Sequence, residues 1–391
     1  MGGIGRYIHQ LAREVARLGH HVHVLTSGEG HDRVDFEDCV WVHRICARVV
    51  PPPPVAVHIP PHIWRHSATM LDALRGLAEK QQVTAVYAPI WDCEGIAILL
   101  DGTFPLITGL QTTLKFWMDS HPHIASAPDF EQNFAAPMLA LEARLLRESA
   151  GVHAISRAIA RDIAHRYNVS LEAPRTQIVP LGLEDWSDLP ASPPEALPDD
   201  SMRLLFVGRL ESRKGIDVLL RVAPDLLASY PNLHIDLVGN DTLTGPTGST
   251  YREDFEANLP EHFKHRIVFH GEVAEDRLRG FYRASDVFVA PSRFESFGLI
   301  LVEAMMFGKP AVACRTGGMV EVVKEGQTAL LAEPGDPTSL KSCLDRLLSD
   351  SSMRDGMGRC GRKRFEELFS PLPMANEMIG LFRRLDRRVP I

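Results

Sequence analysis

Between Leu204 and Ala332 six short apolar runs alternate with stretches of helical periodicity. The runs are Leu204–Val207, His234–Val238, Ile267–His270, Val287–Ala290, Ala311–Cys314 and Ala329–Ala332. Helices are expected between them near Ile216–Ser229, Ala274–Ala284, Leu299–Phe307 and Met319–Lys324, with two more over Pro337–Ser349 and Met353–Leu368. Short strands with no polar alternation are buried on both faces. Joined by helices, they form a parallel, doubly wound sheet.

The first half alternates too. Ile4, Ile8, Leu11, Val15 and Leu18 share one helical face and Gly19 ends that helix. Strands are expected at His21–Leu25, Val40–Ile45, Val83–Tyr87, Leu106–Gly109, Val152–Ile155 and Gln177–Val179, and Pro51–Pro54 is a stiff extended connector. The stretch 185–200, rich in Pro, Asp and Ser, has the composition of a linker. The chain therefore divides into a first domain at 1–184, a linker at 185–200 and a second domain at 201–370. Both are α/β and Rossmann-like, facing across a cleft. Ligands of such sheets bind beyond the carboxyl ends of the strands.

At 391 residues the chain is long enough for two or three cores. A net charge of −8 gives no reason to expect nucleic-acid binding. No run of eighteen apolar residues and no signal-peptide pattern occurs. Arg6 stands where a myristoylation motif needs Ser or Thr. The six cysteines are scattered without paired spacing and read as reduced, mostly buried thiols of a cytoplasmic protein.

Several strand-to-helix loops carry unusual residues. After Val287–Ala290 come Glu295, Ser296, Phe297, Gly298 and Leu299, and Glu303 follows in a segment otherwise wholly apolar. A carboxylate buried there needs a hydrogen-bond donor. Helix-start amides with two carboxylates nearby suit a ligand bearing phosphate and hydroxyls. On this segment alone it is equally open that Glu303 reaches solvent and Glu295 is an ordinary turn residue. After Leu204–Val207 come Gly208, Arg209 and Lys214, a sharp turn followed by a forked donor and a point charge suited to a diphosphate, or else a solvated charged loop. Gly271 and Val273, after the third strand, let a flat group approach the backbone, although a turn glycine explains them as well. Thr316–Glu321 is ambiguous in the same way.

In this order and spacing the motifs resemble the retaining glycosyltransferases of the GT-B fold, specifically glycosyltransferase family 4. The motifs are Gly-Arg-Leu with Arg-Lys-Gly (208–215), Pro-Ser followed by Glu295 and Glu303-Ala304, Gly317-Gly318 with Glu321, and Pro334-Gly335-Asp336. The match runs from Gly2 to about Leu368 and is strongest over Arg209–Asp336.

The resemblance implies roles. Arg209 and Lys214 would neutralise a donor diphosphate, Glu303 would bind ribose hydroxyls, and Glu295 those of the transferred sugar. The amides of Phe297, Gly298 and Leu299 would hold sugar and phosphate oxygens, and Gly271–Val273 would receive the base. Gly3 and Gly5, within Gly2-Gly3-Ile4-Gly5, match the family's glycine loop, and the last helix (371–391) would pack back on the first domain. No cofactor and no metal is implied. The donor would be a UDP-, GDP- or ADP-sugar, and no Asp-x-Asp occurs. The close pairs His21/His23 and His121/His123 read as strand-surface and loop residues.

Two departures stand out. Family members begin with an apolar strand before the glycine loop. Here the sequence starts at the loop, which would leave strand hydrogen bonds unmade, so the expectation is that the true start lies upstream. The family often has His near the sugar where Gln111 stands.

On the acceptor side, Trp91, Asp92 and Gln111, and Lys115-Phe116-Trp117, follow strand ends. Aromatics there stack on a sugar or simply pack. The implied activity is retaining, metal-independent transfer of a sugar to a hydroxyl of a glycan or lipid-linked acceptor, as in cell-surface polysaccharide synthesis. The alternatives are a noncatalytic nucleotide-sugar- or partner-binding relative and a same-fold epimerase. The basic, amphipathic tail (374–388) admits peripheral contact at the inner membrane face.

Overall fold

A computed structural model of the chain describes residues 3–53, 58–120, 125, 127–241, 243, 245 and 248–385. Two compact units result. One is Leu183–Ser370, and the other combines the chain up to Gly182 with the segment from Pro371 onward.

The later unit holds a six-stranded sheet of β8 (Met202–Val207), β9 (Leu233–Val238), β10 (Ile267–Gly271), β11 (Val287–Ala290), β12 (Ala311–Cys314) and β13 (Ala329–Ala332). Their order is β10-β9-β8-β11-β12-β13 and every pairing is parallel. The register of β8 on β9 runs unbroken from Met202↔Leu233 to Val207↔Val238. Strands β11 and β12 are buried along their whole length, which is why they read as continuous apolar runs. The chain winds outward from β8 in one direction and from β11 in the other. The switch point therefore lies between β8 and β11, where doubly wound sheets open a crevice for ligands.

Residues 185–200, expected as a linker, are fastened to this unit. Arg362 grips Asp185 at 2.5 Å, Arg279 donates to the Pro190 carbonyl at 2.8 Å, and Trp186 is buried against Tyr282 and Phe307. Proline-rich composition signals an irregular chain, and here that irregular chain lies against a surface. A short helix at Tyr251–Glu256, closed by a capping box on Thr250, escaped the periodicity because it has barely one and a half turns.

The other unit contains two sheets. In the first, β1 (His23–Ser27) pairs parallel with β3 (Val40–Ile45), and β2 (Arg33–Glu37) pairs antiparallel with β3. In the second, β4 (Val86–Pro89), β5 (Leu106–Leu110), β6 (Gly151–Ala154) and β7 (Thr176–Ile178) run parallel in chain order. Among the described residues β1 pairs only with β3 and β4 only with β5. Strand β2 is not legible in the sequence because its apolar residues, Val34 and Phe36, point outward, Phe36 lying on Trp41 with ring centroids 4.7 Å apart.

Long helices at Pro61–Ala78, Ala136–Glu148 and Arg157–Tyr167 cover these sheets. The helix Pro371–Leu385 buries Met374, Ala375 and Met378 and packs on the helix Gly3–Arg17. Among the described residues no helix is long and apolar enough to cross a membrane. All six cysteines are unpaired. Cys93, Cys314 and Cys343 are buried and Cys46 half-buried, while Cys39 and Cys360 are exposed, where mostly buried thiols were expected.

Candidate active site

The loops that follow β8 and β11 meet at the switch point, and glycines let them meet. A Cβ on Gly215 would stand 1.9 Å from the Pro291 carbonyl oxygen, and one on Gly317 would stand 2.1 Å from the Glu295 carbonyl oxygen. Both glycines also hold positive φ, 69° and 53°, where side chains are strained. Gly318 then donates its amide to the Glu295 carbonyl at 2.8 Å, seating the loop after β12 on the loop after β11.

This scaffold encloses most of Glu295, whose side chain is 12% exposed. Lys214 pairs directly with its Oε1, Ser292 Oγ donates to the same oxygen at 3.2 Å, and Arg213 Nη1 stands 3.7 Å from Oε2. Burial pushes the Glu295 carboxyl toward a higher pKa, but the Lys214 ammonium and Arg213 guanidinium outweigh it and the group titrates below its ordinary value. The site thus holds the Glu295 carboxylate between a lysine and an arginine side chain. Arg209 is exposed, 3.4 Å from Glu211, which also accepts from Arg213 at 2.8 Å.

The helix Leu299–Met306 begins on Gly298 (φ 103°) with no side chain capping it, so its first amides lack intrahelical acceptors. Phe297 is buried edge-on to Phe369 and anchors that start. Glu303, further along the helix, is buried with 7% of its surface exposed and accepts a hydrogen bond from the Tyr282 hydroxyl at 2.8 Å. The donor that a carboxylate in an apolar helix requires is therefore supplied by the neighbouring helix Glu275–Ala284. At the end of β10, Gly271 (φ 66°) has open space where a Cβ would stand, and Asn240 bridges to Glu272 at 2.9 Å.

Two family profiles match the chain: "Glycosyltransferase Family 4" over residues 1–185 and "Glycosyl transferases group 1" over 190–364. The chain belongs to the family 4 and group 1 glycosyltransferases. It is 28% identical to a D-inositol 3-phosphate glycosyltransferase of Acidothermus cellulolyticus, over 89% of this chain and 78% of that protein. It is 24% identical to an uncharacterised glycosyltransferase of Methanocaldococcus jannaschii, over 98% and 94%. In fold it matches sucrose-phosphate synthase of Thermosynechococcus elongatus (TM-score 0.73, 24% identity, 98% and 94% covered). It also matches HepE of Anabaena, solved with UDP and glucose (TM-score 0.67, 17% identity, 98% and 96% covered). The fold is thus that of the GT-B glycosyltransferases.

In this glycosyltransferase the residues singled out from sequence separate into groups. Gly208, Lys214, Glu295, Phe297 and Gly298 lie on the loops around the switch point, Leu299 at the helix start that follows, Arg209 at the exposed margin, and Glu303 further along that helix. Gly271 and Val273 lie at the end of β10, toward the sheet edge. Arg213 and Ser292, the other groups on Glu295, were missed. Arg213 was within reach, being the neighbour of Lys214, whereas nothing in the sequence marks Ser292 apart from the Pro-Ser turn.

Gly3 opens the helix Gly3–Arg17 and Gly5 sits in its first turn, so the stretch matched to the family's glycine loop is helical from Gly3 onward. Gly2 lies outside the described residues, as do His121, His123, Arg387 and Arg388.

On the first unit, Trp91 and Asp92 follow β4. Asp92 and Cys93 both hold positive φ, 54° and 51°. Partial burial raises the Asp92 pKa, opposed by His62 and His66. The neighbouring Glu94 is pushed up to about 7, first by burial and then by Asp92. Gln111 is buried and donates to the Tyr87 hydroxyl at 2.7 Å, which also meets His153 Nδ1 at 3.1 Å. Trp117 packs on Phe130 and Phe116 lies under the Arg166 guanidinium, so both side chains have protein partners. His23 bonds His43 at 2.9 Å and Gln81 at 2.6 Å.

Proposed function

We propose that this glycosyltransferase takes its sugar from a nucleoside diphosphate donor, retains the anomeric configuration and needs no metal ion. The observation that carries the reading is the Glu295 carboxylate held between Lys214 and Arg213 beside an uncapped helix start. Departure of a nucleoside diphosphate leaves an oxocarbenium-like sugar and a developing negative charge. Lys214, Arg209 and the amides at Phe297, Gly298 and Leu299 stabilise that charge. Glu295 accepts hydrogen bonds from the sugar's hydroxyls, Glu303 from the ribose, and the Gly271–Val273 turn receives the base. With the leaving charge met by fixed cations and amides, the acceptor hydroxyl attacks the face from which the phosphate departs, and a phosphate oxygen takes its proton.

The acceptor is a hydroxyl of a glycan or a lipid-linked or polyol acceptor. Relatives named as D-inositol 3-phosphate glycosyltransferases favour a small polyol among these. The test is turnover on a panel of UDP-, GDP- and ADP-sugars with EDTA present, with the anomeric configuration of the product read by NMR. Retained configuration in EDTA is expected. Inversion, or abolition of turnover by chelation, refutes the mechanism. Tight donor binding without turnover would mark a noncatalytic relative.

A further inference from the structure

We propose that the first unit carries a seat for a phosphate group on the acceptor, built by His62, Arg65 and His66 against Ser27 and Gly28. It deepens the transfer reading above and rests on it for the word acceptor. A cavity of about 220 Å³ opens at the carboxyl ends of β1 and β3, where the first turns of the helix Pro61–Ala78 pass. That is below the ~300–1,000 Å³ of sites that enclose a whole drug-sized ligand, so it takes one group of a larger molecule. Its position at the ends of parallel strands is where such sheets place ligands.

The lining offers hydrogen-bond donors around one guanidinium: Arg65 beside the His62 and His66 imidazoles, the His66 pKa being lowered by burial. His62, Arg65 and His66 stand at i, i+3 and i+4 and so share one helix face, and no carboxylate lines the cavity among the described residues. Neighbouring arginines are committed: Arg44 to Asp35 and Glu37, Arg48 to Asp32 and Asp72, and Arg75 to Asp101. Arg65 is exposed and forms no ion pair among the described residues. The opposite wall is cut small. A Cβ on Gly28 would meet the Arg44 backbone at 2.7 Å, and Gly28 donates its amide to the Ile45 carbonyl at 2.8 Å. The floor is thereby held close to β3, and Ser27 lies within 3.4 Å of His66 Nδ1. His62 is held flat on Phe134, with the rings 9° from parallel.

A guanidinium fork, two imidazoles and a hydroxyl lining one cavity match a tetrahedral dianion better than a planar carboxylate, which one Arg fork already satisfies. Asp92 is the complementary half. It interacts electrostatically with His62 and His66, and it stands on a backbone that holds two successive non-glycine residues at positive φ. Backbone strain of that kind gathers at functional sites. A polyol phosphate would lodge its phosphate on the Arg65 guanidinium and the two imidazoles and turn hydroxyls toward Asp92.

The test uses glycerol 3-phosphate as the probe, by calorimetric titration of the full chain. Binding is expected in the wild type and in Lys214→Met, and at least tenfold weaker in Arg65→Ala/His66→Gln, whose substitutions are exposed or half-buried. Equal affinity in Arg65→Ala/His66→Gln, or loss in Lys214→Met, overturns the assignment. Vesicles containing phosphatidic acid form a second arm. Sedimentation with them that depends on Arg65, without binding of the soluble probe, assigns the same phosphate to a lipid, and binding in neither arm overturns the proposal. In turnover, Arg65→Ala should raise the acceptor KM tenfold or more with the donor Kd unmoved. If phosphate binds through Arg65 and no donor is ever turned over, the transfer reading fails and the phosphate seat stands.

Discussion

Replacing Lys214 by Met removes the charge that neutralises Glu295 while keeping most of the stem's volume. The Glu295 side chain is only 12% exposed, and what remains to it is Arg213 at 3.7 Å and the Ser292 hydroxyl at 3.2 Å. Breaking a buried pair by removing one partner costs about 3–5 kcal/mol, and the residual guanidinium reduces that to about 2–4 kcal/mol at pH 7. The sign of the pH dependence decides whether this is the operative term. In the wild type the carboxyl titrates below its unfolded value of 4.5, so its contribution is fully present above pH 4.5 and is lost as pH falls through the folded value. In Lys214→Met, burial is largely unopposed and the folded value moves above 4.5. The folded variant then binds more protons than the unfolded chain, and its stability rises as pH falls toward 4.5. The stability gap between the two proteins should therefore be widest near pH 7 and narrow on acidification, by up to about 1.4 kcal/mol per pH unit. Urea denaturation of the full chain from pH 4.5 to 7.5 measures it. Lys214→Met/Glu295→Gln should recover most of the loss by removing the stranded charge. A gap independent of pH would show that Lys214 acts through packing alone and would refute the argument.

Three further outcomes are expected. Gly317→Ala places a Cβ 2.1 Å from the Glu295 carbonyl oxygen at φ 53°, so the urea midpoint should fall by the equivalent of about 2 kcal/mol or more; a wild-type midpoint would contradict the close approach. Tyr282→Phe strips a donor from buried Glu303 and should cost about 1–3 kcal/mol of stability, and Glu303→Ala should weaken donor binding in a calorimetric titration; unchanged donor affinity would remove Glu303 from the ribose role. Glu142 is buried at the first unit's core, where burial pushes its pKa up to about 7 against the Tyr167 hydroxyl and Leu114 amide that donate to it. Between its unfolded value of 4.5 and about 7 the folded chain holds the extra proton, so stability falls as pH rises through that window. Glu142→Gln should flatten that slope, and an unaltered slope would count against a buried Glu142 carboxyl.

The second unit was legible in sequence nearly strand for strand because its sheet is buried on both faces. Val287–Ala290 and Ala311–Cys314 have no outward face to blur the run, and their ends were placed to the residue. The first unit was less so. Strand β2 turns Val34 and Phe36 to the outside, so its alternation marks the wrong face as core. The helix Pro61–Ala78 follows a proline-rich stretch that reads as connector until the proline at its first position is recognised as a helix start.

The site divides along the same physical line. A lone carboxylate in an apolar helix must find a donor, so Glu303 could be named from sequence; that the donor is Tyr282, 21 residues earlier, depends on how two helices pack and no local pattern carries it. Lys214 and Glu295 were each recognisable on their own strand-end loops, but their pairing required β8 and β11 to be neighbours, a fact of sheet order. Gly317 shows the limit most directly. In sequence it is one of two adjacent glycines, ambiguous between a turn and a site. In the structure it is the place where one loop's backbone rests on the carbonyl of the residue that the site is built around. Its freedom from a side chain therefore positions Glu295 without Gly317 touching any ligand, and a glycine of that kind becomes recognisable only when the loop opposite it is known.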